Sequence, residues 1–138
     1  MTDQTKDKLI RVGTPTGSRY FGCATAESDY DYFVKVNVFC HLSGFTDVED
    51  GSCKVVKYDP EEQIYAIKFF KEYEDENREI NIIILKNEVY EVWVKATEDM
   101  LTLCSLDSFK NIMLDKSRRI KIFKDLKRYH KMMSEVPF

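Results

Sequence analysis

The chain has 138 residues, 43% hydrophobic and 33% charged, with a formal net charge of −3 at pH 7. This length fits one domain with a single core over residues 1–138, and the composition is ordinary for a soluble globular protein. No apolar run is long enough to span a bilayer, and the amino-terminal MTDQTKDKL lacks the apolar core of a signal peptide, so a cytoplasmic protein with no membrane partner is expected. The near-balance of charge argues neither for nor against a nucleic-acid partner. Cys23, Cys40, Cys53 and Cys104 lie far apart with no C-x-x-C pair, which points to reduced, mostly buried thiols rather than a zinc or redox motif. The adjacent Cys40 and His41 read as packing residues.

In chain order, KLIRV at 8–12 reads as a strand or the end of a helix, leading into the turn-rich GTPTG at 13–17, where Pro15 forbids regular helix. Residues 19–26 supply one or two helical turns. Residues 30–39 (YDYFVKVNVF) form the strongest strand by β-branched and aromatic content. A turn or short helix running into a loop is expected over 41–50. Two β-rich runs, 54–58 and 64–70, flank the polar break DPEEQ and predict a hairpin.

The charged run 72–78 (EYEDENR) reads as a solvated loop between strands, and 79–85 (EINIIIL) as a buried strand. From Asn87 to Cys104 the period becomes helical, with Val89, Val92, Trp93, Ala96, Met100 and Leu103 on one stripe and Asn87 as the expected cap. A second helix is expected after Asp115, over 116–133. Its wheel places Ile122, Phe123, Leu126, Tyr129 and Met133 on one face and Lys121, Lys124, Arg128 and Lys131 on the other, the latter either a plain solvated face or a polyanion-binding one. Arg119 and His130 fall on the flank of the apolar face. A charge there is costly unless paired or at the edge of a cleft, so the two residues are expected either to reach into a cleft or to snorkel or bond carbonyls at the helix margin.

The chemistry concentrates in GSRYFGCATAESDYDYFV at 17–34. Residues i and i+2 of a strand share a face, so Asp29 and Asp31 stand side by side, a hard oxygen pair suited to Mg²⁺, with Tyr30 and Tyr32 on the opposite face. Gly17 allows close backbone approach to a phosphate, and Ser18 is a good N-cap whose following amides suit an anion. The pattern Gly17-Ser18-Arg19, Gly22, Ser28-Asp29-x-Asp31 resembles the signature of the nucleotidyltransferase superfamily that includes DNA polymerase β and the minimal nucleotidyltransferases. A narrower resemblance, over residues 79–129, is to small nucleotidyltransferase-like proteins common in bacteriophages. It rests on Asn81 within its strand, Tyr90, Trp93, Ala96-Thr97, Arg118-Arg119 and Phe123.

The resemblance implies an α+β fold with a mixed sheet of about four or five strands and helices packed on it. It also implies nucleotidyl transfer assisted by Mg²⁺ or Mn²⁺, with a nucleoside triphosphate as substrate and Asp29 and Asp31 as metal ligands. Gly17, Ser18, Arg19, Ser28 and Arg119 would contact the nucleotide. A third carboxylate is expected on the strand beside Asp31, but Asn81 occupies that position, and Glu79 lies two residues earlier on the same face. An amide offers an oxygen to a metal yet carries no charge and accepts no proton. Two functions follow: an active enzyme transferring a nucleoside monophosphate to a protein, RNA or small-molecule acceptor, or a catalytically degenerate binding protein, a phage-type effector acting on a host component.

Overall fold

The computed structural model describes residues 2–26, 28–37 and 53–136. Helix α1 (Asp3–Val12) leads through strand β1 (Thr14–Thr16) and the single turn α2 (Gly17–Tyr20) into β2 (Tyr30–Val36). Strands β3 (Cys53–Asp59), β4 (Ile64–Tyr73) and β5 (Glu76–Lys86) follow. Helix α3 (Asn87–Cys104), a 3-10 turn (Asp107–Phe109), α4 (Lys110–Leu114) and α5 (Lys116–Ser134) complete the order. The expectations for 41–50 and for Cys40 and His41 lie outside the described residues.

The strands form one mixed sheet in the order β1-β2-β5-β4-β3, giving an α+β arrangement. Strand β2 runs parallel to β5, and the other pairings are antiparallel. The alternation of β5 explains its central place. Ile80, Ile82 and Ile84 point to one face with Tyr65, Ile67 and Phe69 of β4, where Leu9 and Ile10 of α1 and Tyr30 and Tyr32 of β2 pack. Phe33, Ile64 and Leu85 point to the other, beneath Val89, Tyr90 and Trp93 of α3. A third cluster of Phe21, Met100 and Met113 joins α3 to α4 and to Ile122, Phe123 and Leu126 of α5. Burial of one such aromatic, Phe33 with no exposed surface, contributes about 2–3 kcal/mol and fixes the register of the strand that carries Asp31.

Several local expectations change. Of the two readings of KLIRV, the end of a helix is the one observed: Thr2 caps α1 by accepting from the Thr5 amide at 3.2 Å, and Lys6 donates to the Phe70 carbonyl at 3.2 Å. The segment expected to be only a turn contains β1, whose Pro15 lies opposite Tyr32. A proline suits an edge strand, which needs partners along one side only. The helix expected over 19–26 is the single turn α2, after which Gly22 adopts φ +76°. The charged run 72–78 is no loop: β4 and β5 continue through it, joined by a two-residue turn with Glu74 at φ 49° and Asp75 at φ 66°, the left-handed pair that matches strand twist. Asn87 is the first helical residue rather than the cap, and its amide donates to the Asn37 side chain at 3.0 Å. Asp115 does cap α5, accepting from the Arg118 amide at 3.0 Å. Tyr129 and Met133, expected on the covered face, are 53% and 43% exposed, and the covered side of α5 runs instead through Lys127 and His130. No helix among the described residues is long and apolar enough to cross a membrane.

Candidate functional site

The site forms where the start of β2 lies beside β5. Asp31 is the cross-strand partner of Asn81, as the paired polar segments of the two strands predict. The Asn81 side-chain nitrogen donates to Asp31 Oδ1 at 3.0 Å and also to Asp29 Oδ2, so one amide joins both carboxylates. Gly17 closes the third side at φ +80°. A Cβ there would lie 2.1 Å from Asp31 Oδ2, inside any van der Waals contact, so only glycine allows this approach.

Burial pushes the Asp31 carboxyl up to about 6 from an ordinary value of 3.8. The Asn81 hydrogen bond opposes this, the charges of Asp29 and Glu79 add to it, and Lys116 draws it back down. Glu79 projects into the same space with its carboxylate ion-paired to Lys68 of β4.

These groups open onto a cavity of about 710 Å³. Gly17, Ser18, Ser28, Asp29, Asp31 and Glu79 line one wall. Lys116, Arg119, Phe123 and Lys127 of α5 line the other, with Trp93 of α3. The two walls therefore set carboxylates against cations across a space large enough for a nucleotide-sized ligand. Arg119 is held by donation to the Met113 carbonyl at 2.9 Å. Lys127 sits 4.0 Å from the centroid of the Trp93 ring, and burial, reinforced by Lys57 and Lys124, lowers its amine to about 8.

Other anticipated residues lie elsewhere. Arg19 is absent from the cavity wall. Its guanidinium stacks 4.2 Å from the Tyr30 ring centroid and donates to the Ser28 carbonyl at 2.9 Å, fixing the loop that delivers Asp29. His130 pairs with the Asp99 carboxylate of α3 at 2.5 Å, a contact between two helices that neither expected role described. Lys121, Lys124, Arg128 and Lys131 are exposed and take no part in the wall. Lys116 and Lys127 escaped the sequence reading. Stepping from Arg119 by four residues twice reaches Phe123 and Lys127, so the flank that singled out Arg119 already contained the signal.

Asp29 and Asp31 are the two carboxylates that could hold a divalent ion here, with the Asn81 amide between them. No group of three His, Cys, Asp or Glu side chains that could hold a metal occurs among the described residues. Asp29 and Asp31 nevertheless converge on a single point, now held by an amide hydrogen-bond donor, where a cation has the same electrostatic claim. Rotating the Asn81 amide by half a turn would present its oxygen, a hard neutral ligand, to that point. No protein-family model matches the chain, and no curated protein matches it.

Proposed function

We propose that the chain is a Mg²⁺- or Mn²⁺-dependent nucleotidyltransferase with a polymerase β-like fold, moving a nucleoside monophosphate from a nucleoside triphosphate to an acceptor hydroxyl on a protein, an RNA or a small molecule. The observation that carries this reading is the contact of Gly17 with Asp31 at the mouth of a cavity whose opposite wall is cationic. Phosphate oxygens would be met from both sides: Asp29 and Asp31 would hold a divalent ion, which when bound would supply charge neutralisation, and Lys116 and Arg119 would supply it from the helix. Ser18 and the Gly17 backbone would orient the terminal phosphates. In the transfer step the acceptor oxygen bonds to the α-phosphorus, the bond to the α,β-bridging oxygen breaks, and pyrophosphate leaves with that electron pair. The hydroxyl proton passes to Glu79, the cavity carboxylate outside the Asn81 hydrogen bonds.

A second reading, a degenerate relative that binds nucleotide and acts as a phage-type effector on a host component, is favoured by two observations. The third-carboxylate position holds Asn81, and Glu79 is engaged by Lys68. The deciding experiment incubates the protein with each α-labelled triphosphate, Mg²⁺ or Mn²⁺ and a cell extract, alongside calorimetric nucleotide binding. Transfer abolished by Glu79→Ala with binding retained supports the enzyme. Negligible transfer that Asn81→Asp raises supports the degenerate site. Absence of nucleotide binding, or binding indifferent to Asp29→Ala and Asp31→Ala together, refutes both.

A further inference from the structure

On the face of the sheet that carries Asp31, side chains fall into rows across the strands. One row runs Asp31, Asn81, Lys68, Lys54, each residue the direct partner of the next. At about 4.8 Å per strand, Lys68 and Lys54 lie roughly 10 and 14 Å from Asp31. The row on one side runs through Glu79 to Phe70, and the row on the other runs from Phe33 through Ile83 and Ala66 to Lys57. Helix α3 packs over β2 and β5 on this face. Farther out, Lys54 and Lys57 are exposed, and the Phe70 ring is 50% exposed with the Lys68 ammonium 5.9 Å from its centroid.

Lysines on an edge strand alone discourage strand addition. Here the arrangement goes further, because Lys54 directly opposes Lys68, whose ammonium is already taken by Glu79, so the Lys54 charge faces a second cation and no carboxylate across the strands. The charge of Lys57 also helps to lower the amine of the cavity lysine, Lys127. Among the described residues neither Lys54 nor Lys57 is paired with a carboxylate. Such a cluster, set beside an exposed aromatic ring and continuous with the carboxylate site, has the two components of a single-strand platform: cations along a backbone path and a ring for base stacking.

We infer that this outer sheet face is the track for a single-stranded nucleic acid, with phosphates on Lys54 and Lys57, a base on Phe70 beside the Lys68–Glu79 ion pair, and the strand end directed at Asp29 and Asp31. Only the direction of the strand rests on the nucleotidyl-transfer reading. The binding surface stands on the lysine rows themselves.

The test is fluorescence anisotropy of the full chain with labelled oligo-U and oligo-dT across a salt series, with Mg²⁺ present and no triphosphate. Binding to one or both strands is expected, and preference between them assigns RNA or DNA. The double variant Lys54→Gln/Lys57→Gln should weaken binding and flatten the slope of log affinity against log salt by about 1.4, at roughly 0.7 per single-strand phosphate contact. Phe70→Ala should weaken binding at every salt concentration while leaving the slope unchanged. The outer α5 pair Lys121→Gln/Lys131→Gln should change neither. No binding of either strand at low salt, or a larger effect from the α5 pair than from the sheet pair, overturns the inference. Separate calorimetry with a triphosphate distinguishes failure of this surface from failure of the nucleotide site.

Discussion

The side-chain amide of Asn81 donates to Asp31 at 3.0 Å across two parallel strands, from the position where a third carboxylate would complete an acidic triad. The amide neutralises no charge, yet it satisfies two carboxylates that would otherwise repel each other at close range. Replacing it by Asn81→Asp removes that donor and adds a third negative charge. In chelator at pH 8 this variant should lose roughly 2–4 kcal/mol of stability. Added Mg²⁺ or Mn²⁺ should raise its Tm by more than it raises the Tm of the wild type. Equal metal-induced shifts in the two proteins would contradict this.

Asp31 itself sets a pH dependence. Its carboxyl titrates at about 6 in the fold against 3.8 ordinarily, so the folded chain holds the proton more tightly than the unfolded one. The associated stability is complete below pH 3.8 and is lost as pH rises through 6. Asp31→Asn should therefore be more stable than the wild type by about 1–3 kcal/mol at pH 8, with the difference vanishing near pH 3.5. Urea titrations at the two pH values measure it.

Gly17→Ala places a methyl group against the Asp31 carboxylate and forces alanine to φ +80°. A loss of roughly 1–3 kcal/mol in urea unfolding is expected, from strain and from displacement of the carboxylate together. Triphosphate affinity measured with Mg²⁺ should fall with it. Gly22→Ala provides the control, since φ +76° imposes the strain there but no atom lies within 4 Å of the added carbon.

Cys104 tests the helical layer behind the cavity. Burial, together with its hydrogen-bonded neighbour Cys23, pushes the thiol up to about 11. Iodoacetamide at pH 8 should label native Cys104 at least about tenfold more slowly than in urea, because the thiolate is the reacting form. Mass-spectrometric peptide mapping over time resolves this from the other cysteines.

The parts of the fold legible in the sequence are those where one pattern dominates. The isoleucine run of β5, the β-branched and aromatic run of β2 and the 18-residue stripe of α3 each bury a regular face, and the face periodicity then brings Asp31 and Asn81 together. Elements held by tertiary pairing were hidden. β1 is three residues long and contains a proline, so it exists through its pairing with β2. The polar ends of β4 and β5 similarly owe their extension to each other, and a Glu74-Asp75 turn lacks the glycine that would announce it. Within the site, the acidic wall was readable because its motif is contiguous. The cationic wall was only partly readable: Lys127 belongs to a helix stripe that mixes aromatic and basic residues, and its ammonium lies over the rings of Trp93 and Phe123.

The parallel pairing of β2 with β5 has a consequence for synthesis. Asp31 and Asn81 are 50 residues apart, and β3 and β4 are made between them, β4 pairing with β5 and β3 with β4 in the finished sheet. A nascent chain ending before β5 holds Asp29 and Asp31 without the central strand that positions them. Premature termination between Asp31 and that strand therefore leaves a polypeptide bearing both aspartates but not the Asn81 that joins them, and the pair is assembled only once the middle of the sheet, the last of the described strands to be translated, slots into place.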